Sequence, residues 1–192
     1  MVSTASTSST PPATSTSPSK WSARCASSTA RCSFSKEGVE CQTEGVWHKA
    51  DAYEVPRILF VNKMDKLGAD FDACVASVRE RLGAAPLPVH IPLGQEAAFE
   101  GLVDVVHERA ILFEDPTGRD FMVIDIPARF RDAAVAARAK LVEACADVDA
   151  TVMDAFVRGD PVATVDLVRA LRRGTLNARR WLDARPGCDK SW

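Results

Sequence analysis

No charge of either sign dominates this chain. Its 24 Lys and Arg stand against 26 Asp and Glu, a net of −2, which leaves no broad basic surface for DNA or anionic lipid. It holds no apolar run of about eighteen residues, the length a membrane-spanning helix needs. The N-terminus lacks the apolar core of a secretory signal. Six cysteines fall at 25, 32, 41, 74, 145 and 188. None forms a Cys-x-x-Cys pair or a Cys/His group at zinc spacing, so reduced thiols in a cytosolic setting are expected, with no metal ligands. No Gly-x-x-x-x-Gly-Lys-Ser/Thr segment occurs, so no stretch offers the usual glycine-rich cradle for phosphates. No Asp or Glu precedes Glu37.

What is present is enough for a globular protein. Of the 192 residues, 46% are hydrophobic and 26% charged, sufficient for one domain, or one and a small second. The most informative stretch is Arg57-Ile58-Leu59-Phe60-Val61-Asn62-Lys63-Met64-Asp65. An apolar run of β-formers ends in Asn-Lys-Met-Asp, and a helical pattern follows. That order predicts a strand, a polar loop at its carboxyl end, then a helix, the place where ligands bind in open α/β sheets. Asn-Lys-x-Asp in that place reads guanine. The Asp65 carboxylate accepts from the N1 and N2 donors, Asn62 meets the O6/N7 side, and the Lys63 stem lies along the ring. Adenine would leave these groups unpaired. A polar turn spelling the same letters by chance arises at roughly the per-cent level.

Upstream, residues 42–50 predict a helix with Val46, Trp47, Ala50 and Tyr53 as its inner stripe, and Pro56 closes the connection to the strand at 57–61. Downstream, Asp70 and Phe71 open a helix to about Leu82, with Phe71, Cys74, Val75, Val78 and Leu82 at helical spacing and Gly83 as its C-cap. Leu87, Val89, Ile91 and Leu93 alternate as a strand does. His90 falls on the other face of that strand. His48, His90 and His107 are each read as surface or second-layer residues, not ligands.

Strands or a short helix-strand unit are expected over residues 99–106 and 110–113. A turn at Asp115-Pro116-Thr117-Gly118 and a return strand over 121–127 follow. An Ala/Arg-rich helix spans Ala128 to Cys145, with Phe130, Ala134, Ala137, Leu141 and Val142 on one side. Two further helices are expected, at about 149–158 stopped by Gly159 and about 162–173 stopped by Gly174. Residues 180–187 carry no strand pattern.

Several segments, in order and spacing, resemble bacterial or organellar elongation factor G: Gln42-Thr43-Glu44-Gly45-Val46-Trp47, Val55-Pro56-Arg57-Ile58, Phe60 through Asp65, and Leu67-Gly68-Ala69-Asp70-Phe71. The similarity covers roughly residues 37 to 179. It implies an α/β fold, a partial P-loop GTPase-type sheet with an inserted α+β subdomain. Residues 37–94 would be the C-terminal part of the GTP-binding domain and 95–179 the insert, with an irregular tail at 180–192. The resemblance also implies GTP or GDP as ligand, with Mg²⁺ in the intact family, and a ribosomal partner reached through stalk proteins. The helix at 128–145 is then a candidate contact surface, although a solvated amphipathic helix packed on its own sheet accounts for it equally well. The family's short strand and Gly-Ser-Ala loop, which also touch guanine, have no counterpart after Asn177.

Residues 1–36 are foreign in composition: 18 of the first 35 are Ser or Thr. Disorder is the plain expectation, and a transit peptide is a second reading. A third is stronger. DNA reading GAC ACC CCC GGC CAC GTC GAC TTC encodes Asp-Thr-Pro-Gly-His-Val-Asp-Phe, the phosphate-side switch motif of translational GTPases. Shifted by one base it encodes Thr-Pro-Pro-Ala-Thr-Ser-Thr-Ser, the run Thr10 to Ser17 here. Residues 1 to about 36 are therefore expected to be an out-of-frame translation. The family's switch Asp and water-positioning His would then fall at Thr10 and Thr14, which can do neither job.

Two functions of different class follow. One is a translational GTPase promoting ribosomal translocation in its intact form, here a fragment with no catalytic residues, unable to hydrolyse GTP and binding it weakly. The other is a non-enzymatic fragment whose insert binds a ribosomal or other protein. The missing first strands of the nucleotide domain predict that the strands at 57–61 and 87–93 leave an open sheet edge and exposed apolar faces.

Overall fold

The computed structural model describes residues 30–34, 38–39, 41–114, 120–176 and 182–186. Two four-stranded sheets carry the fold. The first is parallel. Its central strand is β2 (Arg57–Val61), flanked by β1 (Ala30–Phe34) on one side and β8 (Leu182–Pro186) on the other, with β3 (Pro86–Pro88) beyond β8. Leu59, Phe60 and Val61 of β2 are all buried, as a parallel strand covered on both faces requires.

Two of these strands correct the sequence reading. Ala30–Phe34 lies in the segment expected to be disordered, and Leu182–Pro186 in the tail expected to be irregular. Neither has a strong pattern of its own; each is recruited by the hydrogen-bonding edge of β2, a tertiary effect that local propensity does not contain. The open edge expected beside β2 is filled from both sides. Residues 1–29 lie outside the described residues, including the run Thr10 to Ser17.

Helix α1 (Cys41–Ala52) packs Trp47 into the parallel-sheet core and also buries Ala50. Val46 and Tyr53, expected on that inner stripe, are instead exposed. The buried face runs through Trp47 and Ala50, so Val46 is rotated about 100° from Trp47, and Tyr53 lies past the last helical residue. Helix α2 (Phe71–Leu82) follows the expected boundaries. Asp70 caps it by accepting from the Ala73 N–H at 2.9 Å, and Gly83 closes it at φ +60°. Arg81 of α2 donates to the Val39 carbonyl and to Glu44 of α1 at 2.6 Å, tying the two helices to the segment before them.

The alternating stretch 87–93 is not one strand. It splits into β3 and β4 (His90–Leu93), which belong to different sheets. Pro88 marks the break: it is the last residue of β3 and has no N–H to donate to a continuing ladder. The second sheet is an antiparallel meander, β4-β5-β6-β7, with β5 Gly101–Asp104, β6 Arg109–Phe113 and β7 Phe121–Ile124. A 3₁₀ turn, Glu96–Ala98, joins β4 to β5. The turn expected at 115–118 lies outside the described residues.

Three helices follow: α3 (Ala128–Ala146), α4 (Ala150–Arg158) and α5 (Thr164–Leu176). Helix α3 lays Ala134 and Phe130 on the antiparallel sheet, and the three pack on one another beside Leu87, Val89 and the β5–β6 turn. Leu141 and Cys145 of α3, Val152 of α4, and Leu167 and Ala170 of α5 are fully buried together. Gly159 ends α4 at φ +73°, as expected. Gly174 does not end α5. It is buried inside the last turn, where Thr175 donates its hydroxyl to the Leu171 carbonyl at 2.9 Å and the helix continues to Leu176. Arg138 of α3 donates to the carbonyls of Val105 at 2.9 Å and Val106 at 2.6 Å, and so fastens the helix to the β5–β6 turn.

Candidate guanine-reading site

The loop from Asn62 to Asp70 starts at the carboxyl end of β2. Phe34, Val61 and Pro186 are in register across the sheet, so β1, β2 and β8 all end at the same edge. That edge is where a parallel sheet offers its crevice to a ligand. All three expected site residues, Asn62, Lys63 and Asp65, stand there.

Burial and turn geometry fix the loop. Met64 is fully buried in the core with Val61, Ala69 and Phe71, while its neighbours Lys63 and Asp65 are exposed and half-buried. Lys63 adopts φ +64°, a left-handed conformation that costs a non-glycine residue roughly 1–2 kcal/mol. Strain of this kind persists where the surroundings over-determine the backbone. Two turns follow in succession, Lys66 N–H to the Lys63 carbonyl and Ala69 N–H to the Lys66 carbonyl, both at 3.1 Å. Lys63 itself is exposed and Asn62 half-buried.

The Asp65 carboxylate has one oxygen, Oδ2, paired with Lys66 Nζ at 3.1 Å, while Oδ1 is buried, as is Oδ1 of Asn62. This set has the chemistry to read a purine bearing adjacent N–H donors: a two-oxygen acceptor, an amide with both donor and acceptor, and an aliphatic stem beside them. Using both oxygens of Asp65 requires Lys66 to swing away, an easy motion for a half-exposed lysine on a flexible stem. The fit stops at the base. Among the described residues no group of three or more His, Cys, Asp or Glu side chains could hold a metal ion, and the sequence has no phosphate-binding loop.

A second polar group escaped the sequence reading. His107, assigned no partner from sequence, bonds through Nδ1 to Oδ2 of buried Asp104 at 2.8 Å. Arg109 Nε donates to the same oxygen at 3.4 Å, and His90 faces Asp104 across the β4–β5 register. Burial alone would raise the Asp104 pKa. The backbone N–H of His107 and the charges of His90 and His107 outweigh it and hold the carboxyl below its ordinary value. These residues line part of a cavity of about 620 Å³ between Ile58 of β2 and helix α5. The signal was in the sequence as Asp-x-x-His, a turn that caps itself, and Asp104 does accept from the N–H groups of Val106 and His107, both at 3.1 Å.

Among solved structures, the chain is similar to a crystal structure of a protein from Thermus thermophilus, with a TM-score of 0.69 and 26% identity. The match takes in 82% of this chain and 24% of that one, so this chain spans about a quarter of the other's length. Residues 32–170 match the family described as the elongation factor Tu GTP binding domain. That span contains β2, the loop from Asn62 to Asp70 and the antiparallel sheet, and with more than half of its residues so matched the chain belongs to the elongation factor Tu GTP-binding domain family.

Proposed function

We propose that this chain carries the guanine-reading half of an elongation factor G-type translational GTPase, whose intact form promotes translocation on the ribosome in the cytoplasm. On this reading residues 37–94 are the later part of the nucleotide domain and 95–179 an inserted subdomain that faces ribosomal stalk proteins. The observation that carries it is the position of Asn62, Lys63 and Asp65 at the carboxyl edge of a parallel sheet, within a chain of this family.

Asp65 and Asn62 select the base, and the Lys63 stem covers one side of it. When bound, the nucleotide supplies the γ-phosphoryl bond whose cleavage drives the intact factor. This chain has no Lys, Ser or Thr set in a phosphate loop to hold that group. Charge-assisted phosphate contacts supply much of nucleotide affinity, so on this reading binding is weak and turnover is absent.

A second reading rests on α4, which shows Met153, Phe156 and Val157 to solvent. Three apolar side chains on one short helix favour a protein partner for the insert, without nucleotide turnover. Phosphate release from GTP by the purified chain, with and without ribosomes, separates the possibilities. No release above background is expected from the chain alone; turnover that saturates with GTP would overturn the proposed loss of catalysis.

A further inference from the structure

The turn between β4 and β5 touches the guanine-reading loop at two points, and both contacts come from one residue. The Glu96 N–H donates to the Met64 carbonyl at 3.1 Å, and Glu96 Oε1 accepts from the Gly68 N–H at 2.7 Å. Met64 and Gly68 lie on either side of Asp65 in the chain. The residue expected to read guanine is thus bracketed by two hydrogen bonds from the other sheet.

The turn that presents Glu96 is tightly specified. Gly94 has φ +86°, and a Cβ there would lie 1.9 Å from the Ala98 carbonyl oxygen, so only glycine fits. Glu96 itself has φ +55°. A left-handed glutamate is uncommon and is held here by the contacts it makes at both its backbone and its side chain. The turn is also closed on itself: Ala98 N–H bonds to the Gln95 carbonyl at 3.0 Å and Phe99 N–H to the Glu96 carbonyl at 3.1 Å. Phe99 then packs against the core that contains Met64.

We propose that Glu96 is a positioning residue for guanine recognition. Its carboxylate fixes the Gly68 amide and its own amide fixes the Met64 carbonyl, so that the peptide carrying Asp65 is held at the angle the base requires. The inference rests on the assignment of Asn62, Lys63 and Asp65 as the guanine reader. Glu96 touches no base atom; it acts through the loop. Its carboxylate is a charge-assisted acceptor, stronger than the water that would replace it, and preorganising a loop removes part of the ordering cost of binding.

The test compares the full chain with Glu96→Ala, which loses the acceptor, and Glu96→Gln, which keeps an oxygen able to accept from Gly68. Amide exchange at Gly68 in the unliganded protein reads the bond directly. GDP affinity, followed by amide shifts at millimolar nucleotide, reads its consequence. Glu96→Ala is expected to speed Gly68 exchange and weaken GDP by roughly tenfold, while Glu96→Gln stays within about threefold of the parent in both. A merely structural role would lower the urea midpoint without separating GDP from ADP; positioning reduces the GDP preference itself. Equal Gly68 exchange in the parent and Glu96→Ala overturns the proposal whatever the nucleotide result. If Asp65→Ala weakens GDP and Glu96→Ala does not, the guanine reading stands and the positioning role falls. If Asp65→Ala leaves GDP binding unchanged, the guanine reading itself fails.

Discussion

At the scale of single residues, the loop shows how burial can set chemistry. Met64 is an apolar anchor inside a polar motif, fully buried between exposed Lys63 and half-buried Asp65. The strain at Lys63, φ +64°, is removable: Lys63→Gly should raise stability by about 1 kcal/mol in urea unfolding, and on the proposed reading, in which its stem covers the base, should weaken GDP. A gain in both would show that the lysine stem does not contact the nucleotide. Cys74 is a second case. Burial, helped by the nearby Asp70 charge, pushes its thiol up to about 11. Thiolate is the reactive form, so Cys74 should resist iodoacetamide at pH 8 in the folded protein and react once it is unfolded, as peptide mass mapping would show.

At the scale of elements, one buried carboxylate both caps a helix and ties it to the next. Asp149 is buried and caps α4 by accepting from the Thr151 N–H at 3.0 Å. Arg169 of α5 donates to its two oxygens at 3.2 and 3.4 Å, and Arg173 pairs with it at 3.3 Å. The Arg169 bond is the main reason the carboxyl titrates below its ordinary value, with burial opposing it. Asp104 is shifted the same way. A carboxyl whose folded pKa is depressed adds stability that is full above the unfolded value, 3.8 here, and disappears as pH falls through the folded value. The urea midpoint should therefore drop on acidification below about pH 4. Asp149→Asn should flatten that dependence while keeping much of the cap, whereas Asp149→Ala should cost about 1 kcal/mol at neutral pH through the lost cap. An unchanged acid slope in Asp149→Asn would remove the carboxylate from the account.

The elements were unevenly legible in the sequence. Strand β2, helix α2, the Gly83 and Gly159 caps and the long helix α3 could be read because their signals are local: an apolar run, a 3.6-residue period, a glycine at φ above zero. Strands β1 and β8 could not, because their pairing partner is β2 and not their own pattern. The division of 87–93 between two sheets was hidden for the opposite reason: apolar residues alternate across it in the sequence, and only Pro88 betrays the break. Asn62, Lys63 and Asp65 were legible as a motif. Glu96, thirty-one residues after Asp65, was not, since its role depends on a contact between two sheets.

At the scale of the molecule, the two sheets meet around that contact. Phe99 packs against the core of the parallel sheet and lies 6.1 Å, centroid to centroid, from Phe113 of the antiparallel one. Phe99→Ala should remove roughly 2 kcal/mol and loosen the joint, so that calorimetric unfolding broadens or resolves into two transitions; a single sharp transition at an unchanged temperature would show that the sheets unfold together by other means. The most direct test of the central claim is the base preference of the loop itself. The full chain is titrated with GDP, ADP and XDP, and amide shifts are followed, alongside Asp65→Asn. Exchanging the carboxylate for an amide replaces one acceptor by a donor, which suits the 2-oxo group of xanthine in place of the 2-amino group of guanine. The parent should prefer GDP over ADP and XDP, and Asp65→Asn should lose GDP and gain XDP. Equal affinity for GDP and ADP, or an Asp65→Asn chain that still prefers GDP, would contradict the assignment of Asn62, Lys63 and Asp65 as a guanine reader.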